Sequence, residues 1–364
     1  MPRLLLSSIL FFVLTAVMHA GEWKLHRAEG RDYVSLDNIS EFYGLSIPAR
    51  TSAEGIMPAS YSTQLATGSG HGEISVRVNS REAVINGVKQ WLSFPVREQD
   101  GVVLISRVDL AKTIEPMLRP QRIANLKPVE TVVLDAGHGG HDRGATNKLG
   151  REKDYTLDVC RRIKAILEKQ GIKVVMTRDS DVFVPLERRP KVANAIPNSI
   201  FVSVHFNSAR TNASGFEVFA LTPRGAPSTG DATLTPRHFR NEPGNSVDVP
   251  SAALASSVYH AMLGHFTEFD RGLKRARFAV IRLATVPSIL VEGGFVSNSA
   301  EAKRIHEPEW REKLAASIAT GIVGYKGLSE LKRPPELMAD YRRQQEATKD
   351  QAVNEEKPTT PPES

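Results

Sequence analysis

Along the second half of the chain, short apolar runs alternate with segments whose apolar residues recur every three to four positions. The first run, Val132-Val133-Leu134 in "TVVLDAGHGGHDRGA", reads as a buried strand that stops at Asp135 and opens into a glycine-rich loop. A helix around 154–170 follows, with Leu157, Cys160, Ile163, Ile166 and Leu167 at helical spacing and Gly171 as its left-handed end. "IKVVMT" (172–177), "IFVSVH" (200–205), "GFEVFAL" (215–221) and "SILVEG" (288–293) read as strands. Between the last two, the pattern predicts a helix at 251–264, with Ser251 as N-cap after Pro250. A final helix at 309–325 lines up Trp310, Leu314, Ile318, Ile322 and Tyr325. Such alternation predicts an α/β fold, a twisted and mostly parallel sheet with helices on both faces.

Residues 22–120 are patterned differently. "ISVRV" (74–78), "AVING" (83–87) and "GVVLIS" (101–106) are short strands bounded by Gly, Asn or Ser, which predicts a small, strand-rich α+β module. "DYVSLDNISEFYGL" (32–45) and "VVLISRVDLAKTI" (102–114) echo one another, each running a strand into an amphipathic helix. The expected organisation is a module at 22–120, a linker at 121–130, a catalytic unit at 131–328 and a disordered tail at 329–364. Residues 58–72 are polar and glycine-rich, and 222–250 lack apolar periodicity, so both read as loops. "MPRLLLSSILFFVLTAVMHA" has a basic head, an apolar stretch and Ala20 at its end, the form of a secretory signal peptide; an uncleaved membrane anchor is the alternative.

Composition changes this picture little. One cysteine, Cys160, precludes an intrachain disulfide, and its place on a helix face reads as core. Lys plus Arg (47) against Asp plus Glu (41) leaves a net charge of +6, and no basic stripe interleaves with aromatics, so nucleic acid is not implied.

Chemistry enters where polar residues close the apolar strands. His138 follows the first strand, His205 closes "FVSVH" and Glu292 closes "LVE"; in an open α/β sheet these share the carboxyl edge, where sites form. Glu152 opens the helix after the glycine loop. Two imidazoles and a carboxylate form a common catalytic zinc set, and a second carboxylate can move a proton. Singly, each has a blander reading. A strand-end histidine is often structural, an acid at a helix start favours the dipole, and Glu292 can pair with Arg277 or Arg282. His26, His71, His141, His238, His260, His265 and His306 lack the strand-end context and read as surface or packing residues.

These residues carry a resemblance. "VVLDAGHGGHDRGA", Glu152 in "GREKD", "MTRDSDVFVPLERR" with Ala193-Asn194, "IFVSVHFNS" and "SILVEGGFVSN" make residues 131–325 similar to the zinc-dependent N-acetylmuramoyl-L-alanine amidases of the amidase 3 type. The resemblance implies hydrolysis of the amide joining N-acetylmuramic acid to L-alanine in peptidoglycan. It also implies zinc held by His138, Glu152 and His205, Glu292 as catalytic acid/base, and an exported protein of the periplasm or cell envelope. Arg143 stands where the family usually has Pro, Phe206 where it has a small residue after the histidine, and Pro190 where it is helical; Phe206 is expected to narrow the site. A zinc peptidase cutting within the stem peptide and a non-catalytic wall-binding protein remain the alternatives. The "VNSREAVINGVKQWLSFPV" hairpin followed by "LISRVDLA" resembles the copper-amine-oxidase N-terminal-like module, without residues that gather into a copper site. That module or the 222–250 segment is the expected contact for wall or for a regulatory partner.

Overall fold

Val132, Val133 and Leu134 have no exposed surface, and a strand buried on both faces needs cover on both. In the computed structural model, which describes residues 23–53, 59–64, 72–266, 270–331 and 333, that cover is helical. The N-terminal elements are β1 (Leu25–Ala28), β2 (Arg31–Ser35), α1 (Leu36–Tyr43), β3 (Ala49–Arg50), β4 (Ser60–Gln64), β5 (Glu73–Arg77), β6 (Glu82–Ile85), β7 (Val88–Trp91), β8 (Arg97–Gln99) and β9 (Val102–Ser106). A helical stretch follows, α2 (Arg107–Asp109) and α3 (Glu115–Leu118) flanking a π-helical turn at Leu110–Ile114. Then come β10 (Thr131–Ala136), α4 (Glu152–Lys169), β11 (Lys173–Met176), α5 (Arg188–Asn194), β12 (Ser199–Asn207), β13 (Phe216–Leu221), α6 (Asp248–Phe266), β14 (Asp270–Ala276), α7 (Ala279–Arg282), β15 (Ser288–Phe295), α8 (Ser299–His306) and α9 (Pro308–Glu330). The signal-like segment 1–20 and the tail beyond residue 333 lie outside the described residues.

The main sheet has eleven strands in the order β11-β10-β12-β15-β13-β14-β7-β6-β5-β4-β3, and a smaller sheet runs β1-β2-β9-β8. Strands β11, β10, β12 and β15 are parallel; β13 is antiparallel to β15 and parallel to β14. On one face Val133, Phe201 and Leu290 pack against Ala193 of α5 and Val280 and Ile281 of α7. The helices α4, α6 and α9 pack together, burying Val159, Cys160, Ile163, Leu254, Val258, Leu314 and Ile318. Each such side chain contributes roughly 1.5–3 kcal/mol by leaving water.

The two regions distinct in sequence pattern, 22–120 and 131–328, share this sheet. Strand β14 lies parallel to β7 through Leu273 and Gln90, and residues 24–335 form one compact unit. Periodicity does not reveal β14, because "DRGLKRA" is dense in charge. Those charges find tertiary partners: Lys274 pairs with Glu217 at 2.9 Å, and buried Arg275 donates a hydrogen bond to Lys112 O at 2.8 Å. The 121–130 segment is packed too, with Ile123, Leu126 and Val129 buried.

Three local expectations change. Residues 60–64, within the stretch read as a loop, form β4 and pair with β5. Helix α6 starts at Asp248 rather than after Ser251, because Pro250 sits in the first turn, where its missing N–H costs nothing. Ser251 lies inside the helix, donating to Val247 O at 2.7 Å and accepting from Ser288 N at 3.0 Å. Segment 222–250 contains two 3-10 turns, Pro236–Phe239 and Pro243–Ser246. It is anchored by buried His238, which accepts from Thr235 N at 2.8 Å and faces Asp231 at 3.0 Å. Arg277 donates to Pro223 O and Ala226 O, and Arg81 to Pro227 O and Ser228 O, so arginines supply the order that apolar spacing does not.

Candidate metal centre

Parallel pairing sends the carboxyl ends of β10, β12 and β15 to one edge, where His205 lies directly across from Glu292. The loop leaving β10 turns sharply, and His138 itself has a left-handed backbone (φ 60°). Such a loop leaves carbonyls without strand partners, and two guanidiniums take them up. Arg189 donates to Ala136 O at 2.8 Å, His138 O at 2.8 Å and Asp135 Oδ1 at 2.9 Å. Arg178 donates to Ala136 O at 2.9 Å and Gly137 O at 2.7 Å. Buried Asp135 also accepts from Thr177 and Ser203 hydroxyls at 2.6 and 2.7 Å, so the charge pair under the loop is fully bonded.

His138, Glu152 and His205 meet at this edge, with one ligand atom from each lying within 4.8 Å of the others. Glu152 Oε1 lies 3.0 Å from both His138 Nε2 and His205 Nδ1. Its orientation is set by backbone donors, Phe206 N to Oε1 at 3.1 Å and Ala145 N to Oε2 at 2.8 Å. Burial pushes the Glu152 carboxyl up, but the hydrogen bonds and charge of the two imidazoles hold it well below its ordinary value. Burial lowers the His138 imidazole, and Glu152 and Asp142 more than reverse that, leaving it raised. Asp142 Oδ2 sits 2.9 Å from His138 Nδ1, a contact that leaves Nε2 as the nitrogen facing the cluster.

The glycines make room for this. A Cβ on Gly137 would lie 2.4 Å from His205 Cε1. At Gly144 (φ +63°) it would lie 2.6 Å from both Glu152 Oε2 and His138 Cδ2. The close approach of the ligand side chains accounts for glycine at both positions, and at Gly144 a backbone that L side chains avoid adds to it.

Glu292 sits beside this cluster without a counter-charge. Its Oε2 is shielded from solvent and has no hydrogen-bond partner. Both candidate arginines are engaged elsewhere: Arg282 with Glu242 at 3.1 Å, Arg277 with the 222–250 carbonyls. Burial first, then the charges of Glu152 and Glu217, push the Glu292 carboxyl well above its ordinary value. The four residues line a groove of about 400 Å³ with Leu186 and Phe278 at its rim. Phe206 is among the residues lining the groove, while its ring is buried near Tyr155 and Trp310. No residue of 222–250 lines this groove. That segment instead borders a larger cavity, about 710 Å³, which contains none of the four predicted residues.

The sequence reading missed Asp142, Arg178 and Arg189. Asp142 carried a local signal, an acid four residues after His138, whereas the arginines are joined to the loop only by the fold.

The donor set suits zinc: two imidazoles, one carboxylate and a neighbouring carboxylate left out of the cluster. Fold and site together define an α/β protein with a candidate metal centre of a kind that serves hydrolysis. Residues 132–323, more than half of the chain, match the family described as N-acetylmuramoyl-L-alanine amidase, and the chain belongs to that family. It is 32% identical over 243 residues to N-acetylmuramoyl-L-alanine amidase AmiC of Escherichia coli O6:H1, covering 60% of this chain and 58% of that protein. It is 34% identical over 201 residues to the uncharacterized protein YqiI of Bacillus subtilis, covering 55% and 87%. Among solved structures, N-acetylmuramoyl-L-alanine amidase AmiC2 of Nostoc punctiforme matches 56% of this chain and 98% of its own, at 33% identity and a TM-score of 0.45.

Proposed function

We propose that this protein hydrolyses the amide between the lactyl group of N-acetylmuramic acid and L-alanine in peptidoglycan. The observation that carries the reading is the partnerless Glu292 carboxylate beside the His138–Glu152–His205 donor set, in one groove of a chain of the amidase family. Zinc held by those three residues would supply Lewis acidity to the scissile carbonyl and to water. Asp142 fixes the His138 ring, and the Phe206 and Ala145 amides fix the Glu152 carboxylate, so the donors are set before a cation arrives. Glu292 accepts the proton of the attacking water and returns it to the departing alanine nitrogen; its elevated proton affinity suits both steps. Leu186 and Phe278 give the rim of the groove exposed apolar surface for the substrate.

Export to the cell envelope, with Met1–Ala20 as signal, follows from this substrate. A wall-contacting role for residues 22–120 is part of the same reading.

The test is digestion of purified peptidoglycan by the mature protein, with and without a zinc chelator, followed by mass spectrometry. Intact stem peptides released without chelator, and lost with chelator or with Glu292→Gln, are the expected result. Cuts within the stem would make the protein a peptidase; undigested wall with bound zinc would make it a binding protein.

A further inference from the structure

The catalytic face of the main sheet does not end at the groove. Glu217 of β13 lies directly across from Glu292, and Phe219 lies across from both Leu290 and Lys274. Phe219 also meets the groove residue Phe278 edge to face, at 5.0 Å between ring centroids. The Leu273–Gln90 pairing then sets Lys274 beside Trp91 on the next strand. Trp91 lies across from Glu82, which pairs with Arg77 of β5 at 3.3 Å. Because side chains alternate across a strand, this row shares one face over six strands. Trp91 stands three strands from Leu290, about 14 Å away, and Arg77 five strands, roughly 24 Å.

That face is open. In β5, β6 and β7 every second residue is buried on the far side, while Arg77, Glu82, Lys89 and Trp91 remain at least partly accessible. Its charges nearly cancel: Lys274 is paired with Glu217, and Lys89 and Arg77 share Glu82 at 3.7 and 3.3 Å. A row of paired charges around an indole offers both donors and acceptors beside an apolar ring. It suits sugar rings, whose C–H faces lie on aromatics while their hydroxyl and acetamido groups exchange hydrogen bonds with charged pairs.

We propose that this face, from Phe219 through Trp91 to Arg77, is a track for the glycan strand of peptidoglycan, continuous with the groove. The proposal rests on the amidase reading and deepens it: the strand would be held by the same sheet that presents Glu292. The experiment uses the full mature chain and two variants, Trp91→Ala and the more exposed Arg77→Glu, each checked for an unchanged unfolding midpoint. Hydrolysis of polymeric peptidoglycan is compared with that of a single disaccharide-peptide, and co-sedimentation is measured with glycan strands stripped of their peptides. The expected result is a fall of at least 5-fold in the polymer-to-small-substrate ratio, with matching loss of binding to stripped strands. If Trp91→Ala fails to fold, Arg77→Glu carries the test. A ratio within twofold of the unmodified chain, or binding only to strands that retain peptides, would overturn the track. If the unmodified chain cleaved neither substrate, the amidase reading would fail, and the stripped-strand arm would still decide the track.

Discussion

Replacing Glu292 with glutamine should abolish catalysis and stabilise the protein at the same time. In the metal-free fold the carboxyl is raised well above its ordinary value by burial and by Glu152 and Glu217, and Oε2 has no donor. A folded-state pKa above the unfolded one means that the native state holds the proton more tightly. The destabilising contribution is therefore absent below the unfolded value, about 4.3, and grows as pH rises from there towards the folded value. An uncompensated buried polar group costs about 1–3 kcal/mol. Urea unfolding of chelator-treated protein should give Glu292→Gln an advantage of that size at pH 8, shrinking to near zero at pH 4.5. Activity of the zinc-loaded variant should fall by about 10²-fold or more, as for loss of a general acid/base. Equal stability at both pH values, or a less stable variant at pH 8, would mean that Glu292 is a paired structural acid, and the reasoning would be refuted.

Further outcomes follow from the same geometry. Asp142→Ala frees the His138 ring and should weaken zinc affinity about 10–100-fold, read by competition with a chromogenic chelator, while the unfolding midpoint of the metal-free protein moves little. Arg189→Met strands buried Asp135 and should cost about 3–5 kcal/mol in urea unfolding; a loss below 1 kcal/mol would show that the pair does not hold the β10 loop. Gly144→Ala forces a Cβ to within 2.6 Å of both Glu152 and His138, so zinc binding by calorimetry should fall sharply while far-UV circular dichroism stays the same. Zinc at 100 times its dissociation constant should stabilise the chain by about 2.7 kcal/mol, and Glu152→Ala should remove most of that gain.

Much was legible in the chain by itself because burial writes a local period. The runs at Val132–Leu134, Ile200–Val204 and Ile289–Val291 are strands, and His205 and Glu292 stand in their carboxyl-terminal halves rather than at their ends, because β12 runs on to Asn207 and β15 to Phe295. The identities of His138, Glu152, His205 and Glu292 as a group came from that logic and from motif resemblance. What local sequence could not decide is partnership across long separations. Nothing near Glu292 says that Arg277 and Arg282 are spent on residues 223–242, and nothing near Asp135 names Arg189, 54 positions on, as its partner. Strand β14 is hidden for the same reason: its charges look solvated until Glu217 pairs with Lys274 and the Lys112 carbonyl accepts a hydrogen bond from Arg275. Sequence by itself determined which residues seek burial and which chemistry-bearing ones lie towards the carboxyl ends of buried strands. Only the tertiary structure decided which charges cancel, because that depends on distances between residues that no short stretch of chain contains.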